Sequence, residues 1–185
     1  MDAIVEAALR KWPNVPHCYG WLALDARGDW YMRDERIQAA GSFPAVKGSR
    51  ITHEKLLGFI HRNYAHDAQG AWFFQNGPQR VYLELEAAPM VWRLQPDGRV
   101  LSHTGRAAQP ETAWLDEQGR LFLDARLDGE PGDERVLGLV HTQDMAAAAE
   151  RVESGEWQPR DTTHAQLLQR HGCQLRPRPA STTAT

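Results

Sequence analysis

Histidines are the residues in this sequence that most directly suggest chemistry, because imidazole is a common metal ligand and a base near neutral pH. Eight are present, and the densest group lies in the segment HEKLLGFIHRNYAHD. His53 and His61 are too far apart to share one ion, since eight helical residues span about 12 Å. The H-E-x-x-H spacing of zinc enzymes is absent. We therefore expect no metal site and no cofactor; His61, His66 and Asp67 are the residues that would converge if a metal were bound.

Cys18 is the candidate nucleophile, since it stands next to His17 in the segment PHCYG. A histidine activates a thiol only when the two side chains meet, and neighbouring residues of a strand point to opposite faces of the sheet. No G-x-S-x-G or other nucleophile signature occurs in the sequence. We therefore predict that Cys18 is structural and that it and Cys173 are reduced thiols.

Carboxylates near tryptophans suggest a second kind of chemistry, acid and base catalysis in a cleft that stacks sugars. Several candidates have a plainer explanation, because Asp25, Asp97 and Asp116 stand at turns, where aspartate bonds to nearby backbone. The hypothesis that stays open is a hydrolase with an Asp/Glu/His site near the loop 34–50. The residues to test first for that activity are His17, Arg33, Asp34, Glu35 and His53.

Nucleotides, nucleic acids and membranes are not expected as partners. Neither glycine-rich phosphate motif is present, and the nearest segment, KGSRIT from Lys47, is better explained as a loop before a helix cap. The formal net charge is −3, without a cluster of basic residues. Apolar runs such as MAAAA fall far short of the roughly 20 residues that a bilayer requires. The first residues, MDAIVEAALRKW, carry no signal-peptide pattern, so we expect a cytoplasmic protein.

Turn residues and hydrophobic periodicity predict the elements that must position these side chains. Four hairpins are predicted, with turns at 25–28, 76–77, 96–98 and 116–119. Helices are predicted over 2–11, 52–64, 142–154 and 162–171, and a long loop over 34–50. The predicted fold is α+β: an antiparallel hairpin or meander sheet of about nine strands, strongly curled, with about four flanking helices. Residues 1–176 are expected to form a single globular domain and 177–185 a disordered tail.

Tryptophan is the over-represented residue type, with seven copies against five phenylalanines and four tyrosines. Five of the seven lie in predicted hairpin strands: Trp21, Trp30, Trp72, Trp92 and Trp114. Because tryptophan is enriched at binding hot spots, we predict a non-enzymatic binding protein that uses an aromatic sheet surface or the loop 34–50. Its partner would be a small ligand or a second copy of the chain, as in a homodimer. The predicted contact residues are Trp21, Trp30, Arg33, Phe43 and Lys47.

Several stretches of the sequence carry a resemblance to a known family. The run KWPNVPHCYGWLALDARGDWYMRD at 11–34, followed by GSFP at 41–44 and HEKL at 53–56, resembles the N-terminal half of a proteobacterial family classed as a domain of unknown function. The segment QLLQRHGCQLRPRP at 166–179 also resembles that family. The resemblance implies a bacterial, cytoplasmic, single-domain protein, and it brings no activity or catalytic residue with it.

Overall fold

The computed structural model describes residues 1–129 and 134–179. These residues divide into two compact units. Unit 1 comprises Met1–Asp25, Asp29–Glu86 and the chain from Gln174 onward, and unit 2 comprises Ala26–Gly28 and Ala87–Cys173. The prediction of one domain over 1–176 stays a prediction. The predicted disordered tail lies outside the described residues from position 180 onward, and of its first residues Pro177 is buried.

The described residues contain five α-helices, one short 3₁₀ turn and twelve strands. The helices are α1 (Ala3–Lys11), α2 (Glu35–Ala40), α3 (Glu54–Arg62), α4 (Met145–Glu153) and α5 (His164–Arg170), with the 3₁₀ turn at Thr142–Asp144. The strands of unit 1 are β1 (Cys18–Leu24), β2 (Trp30–Met32), β3 (Ser49–Arg50), β4 (Tyr64–His66), β5 (Trp72–Asn76) and β6 (Gln79–Leu85). Those of unit 2 are β7 (Met90–Leu94), β8 (Val100–Ser102), β9 (Ala107–Leu115), β10 (Leu121–Leu127), β11 (Val136–Val140) and β12 (Arg160–Asp161).

Unit 1 is built on one six-stranded sheet in the order β3-β2-β1-β6-β5-β4. Its pairs are antiparallel except β1 and β6, which run parallel at the centre of the sheet. Side chains alternate between the two faces of such a sheet, and paired residues share a face. Leu22, which pairs with Met32, therefore lies on one face, and Ala23, which pairs with Tyr31, lies on the other.

Unit 2 contains a sheet that closes on itself. The order is β10-β11-β7-β8-β9, and a further pairing of β9 with β10 completes a five-stranded barrel. The short strand β12 adds to β9 in parallel. Beside this sheet lies a core of buried apolar side chains that includes Trp114, Phe122, Leu137 and, from α5, Leu167.

The four predicted hairpins are all present: β1–β2, β5–β6, β7–β8 and β9–β10. Each turn contains a glycine with positive φ, for example Gly28 at +83°, a conformation that other residues rarely adopt. The α+β class is therefore confirmed. The prediction of a purely antiparallel meander is wrong, because β1–β6, β7–β11 and β9–β12 are parallel. Turn residues determine pairing within a hairpin and carry no information about which hairpins lie side by side.

The helix prediction also needs correction at the loop 34–50, where α2 occupies six residues. The Asp34 side chain begins this helix by accepting a hydrogen bond from the Ile37 backbone at 2.9 Å. A helix this short shows too few apolar repeats for periodicity to detect. Within the described part of the chain, no helix has the length and apolarity that a membrane span requires.

Candidate functional site

An apolar groove lies on one face of the sheet in unit 1. The strand pairing shows which residues form the bottom of the groove: Cys18 and Phe74 each pair with Val81, and Leu22 pairs with Met32. Because paired residues share a face, these side chains from four adjacent strands form one surface. The sequence prediction did not find this surface, since it depends on the pairing of β1 with β6.

A bulge in β1 adds an aromatic wall to the groove. Tyr19 pairs with Tyr82, but the next residue of β6, Leu83, pairs with Leu22, so Gly20 and Trp21 are extra residues on β1. Gly20 has a φ of +73°, and a Cβ there would lie 2.8 Å from the Gln38 side chain. The position therefore requires glycine. As a result Trp21 and Leu22, although adjacent in sequence, both line the groove.

Helix α3 forms the other wall. Its residues Leu56, Phe59 and Ile60 line the cavity, and the Phe59 ring meets Phe74 edge to face at 5.4 Å between centroids. The hydrophobic stripe that predicts this helix is the stripe that faces the sheet. Its N-terminus is capped by His53, whose Nδ1 accepts from the Leu56 backbone at 3.3 Å.

The groove has a volume of about 380 Å³. Its lining residues are Cys18, Trp21, Leu22, Met32, Ile51, Leu56, Phe59, Ile60, Phe74, Asn76, Gln79 and Val81. No charged residue is among them. The polar groups are the amides of Asn76 and Gln79 and the thiol of Cys18, whose pKa is raised by burial. Cys18 therefore stays protonated near neutral pH, and nothing in this lining activates it as a nucleophile.

Exposure distinguishes the tryptophans. Trp30, Trp72, Trp92, Trp114 and Trp157 are buried, whereas Trp21 is 39% exposed and Trp12 is 50% exposed. Only Trp21 borders the groove. Of the five tryptophans predicted to lie in strands, Trp21 is thus the one that a ligand can reach.

Arg33, a predicted contact residue, is buried and fully engaged. Its Nη1 lies 2.6 Å from Glu84 Oε2, its Nη2 donates to the Gly41 carbonyl at 2.7 Å, and its Nε donates to the Val46 carbonyl at 3.2 Å. The guanidinium therefore joins β6 to the segment that contains α2. This places Arg33 in a structural position.

Phe43 and Trp30, two further predicted contact residues, are also buried, at 0% and 1% exposure. The Phe43 carbonyl accepts from Arg176 at 2.6 Å. The Trp30 indole donates to His61 Nε2 at 3.0 Å. A ligand would reach either ring only after the surrounding chain opened.

Lys47 belongs to a polar cluster on the face opposite the groove. Its Nζ lies 2.7 Å from Asp25 Oδ2 and 3.7 Å from Glu86 Oε2. Burial opposes the charge of Lys47, but the hydrogen bond and charge of Asp25 outweigh it, so its pKa is raised. Tyr31 also donates to Asp25, at 3.2 Å, and burial together with that carboxylate raises the Tyr31 pKa. Both groups are therefore held protonated, which disfavours a role as base or nucleophile.

Besides Arg33, the residues predicted for a hydrolase have separate local roles. Asp34 and His53 cap α2 and α3, and His17 packs edge to face on Tyr82 at 5.6 Å. Glu35 is exposed in the first turn of α2. Among the described residues, no hydrogen bond or ion pair joins any two of these side chains, so the hydrolase site stays a prediction.

The candidate metal ligands likewise have other partners. Asp67 accepts from the Gln69 and Ala71 backbones at 2.9 and 3.0 Å and from the Tyr82 hydroxyl at 2.9 Å. His61 accepts from Trp30, and burial lowers its pKa. His66 packs on Trp72 with 4.8 Å between ring centroids. Across residues 1–129 and 134–179, no three His, Cys, Asp or Glu side chains are grouped as metal ligands.

Unit 2 contains a larger cavity of about 650 Å³, with a charged lining. These charges largely neutralise one another. Arg99 pairs with Asp97 at 2.7 Å, and Arg151 pairs with Glu156 at 3.0 Å. Glu111 is held between two further arginines, Arg126 and Arg135. Most of the charged groups that line this cavity are therefore already paired with one another or with nearby arginines.

Three residues of unit 2, of which Trp114 and Asp124 are buried, form a contact that the sequence did not predict. Asp124 accepts from the Trp114 indole at 2.9 Å and lies 2.7 Å from His171 Nε2. His171 follows α5 directly, so this contact fastens the end of the helix to β10. No local sequence pattern indicates it, because the contact requires α5 to pack beside β9 and β10.

Comparisons with known proteins give a family and two structural likenesses. A search of curated proteins gives no match. A DUF1285 family protein from Silicibacter pomeroyi DSS-3 is 11% identical, with a TM-score of 0.47 over 81% of this chain and 84% of that one. A DUF1285 family protein from Shewanella baltica OS155 is 16% identical, with a TM-score of 0.43 over 71% of this chain and 91% of that one. The family described as "Protein of unknown function (DUF2946)" matches residues 1–184, which confirms the resemblance to a family of unknown function. The chain belongs to that family.

Proposed function

We propose that this chain is a non-enzymatic binding protein whose groove in unit 1 takes a small apolar ligand. The observation that carries the proposal is the position of Trp21, an exposed tryptophan beside an apolar cavity of about 380 Å³. Concave, mostly apolar sites with a few polar groups are the usual form of ligand pockets, and they begin at about 300 Å³.

Lining chemistry supports binding over catalysis at this groove. Catalysis needs a nucleophile, acid or base that touches the substrate. The groove offers a thiol whose pKa is raised, two amides and apolar side chains. An alternative enzyme near the loop 34–50 has less support, because Arg33 and Lys47 are already paired with Glu84 and Asp25.

Titration with the neutral fluorophore N-phenyl-1-naphthylamine tests the proposal, because its emission rises in an apolar site. We expect saturable binding of one probe per chain. Trp21→Ala is expected to weaken it about tenfold, as for a hot-spot tryptophan. Trp12→Ala is the matched control, since Trp12 is also exposed and does not line the groove.

Three outcomes would contradict the proposal. The first is an absence of saturable binding, and the second is an equal loss of binding in both tryptophan variants. The third is a concentration-dependent dimer, seen by sedimentation, that Trp21→Ala dissociates. That result would assign the exposed side chains of Trp21 and Met32, 39% and 49% accessible, to contact with a second copy.

We further infer that the protein acts in the cytoplasm. Both cysteines are free thiols, as expected in a reducing compartment. Fractionation of cells that express the tagged chain tests this assignment, and recovery outside the cytoplasmic fraction would contradict it.

A further inference from the structure

We infer that the ligand of the groove is a neutral, chain-like molecule that ends in a hydroxyl or primary amide group. This inference rests on the proposed function and adds the chemical class of the ligand. It follows from three features of the groove: its length, its lack of charge and the position of its two amides.

The groove extends across four adjacent strands. Met32 on β2, Leu22 on β1, Val81 on β6 and Phe74 on β5 all line it. Three spacings between strands amount to about 14 Å. The volume of 380 Å³ is roughly a dozen times the share of one water molecule in the liquid, which leaves room for a chain of about ten non-hydrogen atoms. The cavity therefore accepts an extended chain along its length.

The lining contains no group that could pair with a charge. Arginine, lysine, histidine, aspartate and glutamate are all absent from it. An ion that leaves water for such a site loses its hydration without a partner, so ionised ligands are strongly disfavoured. This disfavours a ligand that would place a carboxylate or an ammonium group among the apolar lining residues.

The two amides lie together at one end of the groove. Asn76 and Gln79 are paired across the hairpin of β5 and β6, and both line the cavity. Gln79 donates through Nε2 to the Pro16 carbonyl at 3.0 Å, which leaves its Oε1 as an acceptor. The Asn76 amide has no hydrogen bond within the described residues. Together they can accept from and donate to one neutral polar group, as a hydroxyl or primary amide requires.

Displacement of bound N-phenyl-1-naphthylamine by matched ten-carbon compounds tests the class. The competitors are 1-decanol, decanoate and decylammonium at pH 7.5. We expect decanol to bind at least about tenfold more tightly than either ion, because the lining offers an ion no partner of opposite charge. Equal or tighter binding of decanoate or decylammonium would overturn the inference.

Two variants locate the polar end. Asn76→Leu is expected to weaken decanol binding roughly three- to tenfold, the effect of one hydrogen bond, while probe binding persists. Asn14→Leu, at an exposed asparagine outside the groove, is the control and should change neither. Gln79→Lys should reverse the preference by giving decanoate a partner, and this gain does not depend on how well the Asn76 variant folds.

The outcomes separate the two levels of the proposal. If the probe binds through Trp21 but the three competitors are equal, or Asn76→Leu leaves decanol binding unchanged, the ligand class is wrong and the proposed function stands. If the probe does not bind the wild-type chain at all, both fail. If Gln79→Lys leaves the preference for decanol intact, the placement of the polar end is wrong.

Discussion

The two faces of the sheet in unit 1 are opposites in chemistry. On one face, Tyr31 donates to Asp25, and Glu84 pairs with Arg33, which also binds the segment that contains α2. On the other face, the groove presents apolar side chains and two amides. The first face has the residue types associated with catalysis, and they are engaged with each other. The second face has few reactive side chains, and it contains the open space of the groove. In this sheet, the charged side chains therefore make structural contacts, and the candidate site is the groove on the apolar face.

The strongest test of this contrast is removal of Arg33 from the polar face. Arg33→Met leaves Glu84 buried, and among the described cations Arg178, at 3.6 Å, is the one that remains close to it. Breaking a buried ion pair in this way is expected to lower the free energy of unfolding by about 3–5 kcal/mol. Urea unfolding followed by circular dichroism measures this loss of stability. Arg36→Met is the control, since Arg36 is exposed, and it should cost less than about 0.5 kcal/mol. A loss below 1 kcal/mol at Arg33 would show that this pair does not hold the segment.

Filling the groove should raise the free energy of unfolding, whereas removal of Arg33 lowers it. Cys18→Leu places additional methyl groups in open apolar space, so the free energy of unfolding should rise by about 0.5–2 kcal/mol. The same variant should lose binding of N-phenyl-1-naphthylamine, whereas Cys18→Ala should keep it. Thermal unfolding and fluorescence titration give the two readouts. Destabilisation by leucine with unchanged probe binding would mean that the groove is not the binding cavity.

Asp34 gives a smaller effect on the polar face. Asp34→Ala removes the side-chain cap of α2 and is expected to cost about 1 kcal/mol of stability. Glu35→Ala, one residue further along, removes an exposed carboxylate that provides no cap and should cost less than about 0.5 kcal/mol. Chemical denaturation of both variants compares them. Equal costs in the two variants would show that the Asp34 cap does not stabilise α2.

The smallest effect concerns His61, a titratable residue of α3. Burial lowers its pKa below the ordinary value of 6.5, and its Nε2 must be unprotonated to accept from Trp30. The unfolded chain therefore binds the proton more readily, so this contribution to stability is complete above pH 6.5 and declines as the pH falls below it. Unfolding midpoints between pH 8 and pH 5 measure the decline. His61→Gln keeps an acceptor without the titration and should flatten it; an unchanged slope in that variant would assign the pH dependence to other groups.

Local sequence predicted the parts of the fold that local chemistry controls. The turns around Gly28, Gly77, Gly98 and Gly119 each have the positive φ that their sequences indicate, and the hairpins follow from them. Helix α3 follows from its hydrophobic stripe. The parallel pairing of β1 with β6 could not be predicted, since it joins segments about 60 residues apart whose contact depends on everything folded between them.

The candidate site was predicted only in part. Trp21 was among the expected contact residues, and it lines the groove. Trp30, Arg33 and Phe43 were expected beside it and are buried instead. A hydrophobic pattern cannot separate an exposed tryptophan from a buried one when both lie in strands. The difference comes from the bulge at Gly20, which turns Trp21 out of the regular alternation.

The sequence by itself determined the α+β class, the four hairpins and the family, because these depend on turn residues, periodicity and the likeness of whole stretches of chain. Tertiary structure alone decided which face of the sheet is filled and which is open. That outcome depends on a long-range strand pairing, on a buried arginine that finds Glu84 fifty-one residues away, and on a helix that covers only part of an apolar surface. Each of these is a contact between distant segments, and its energy is not encoded in any local pattern.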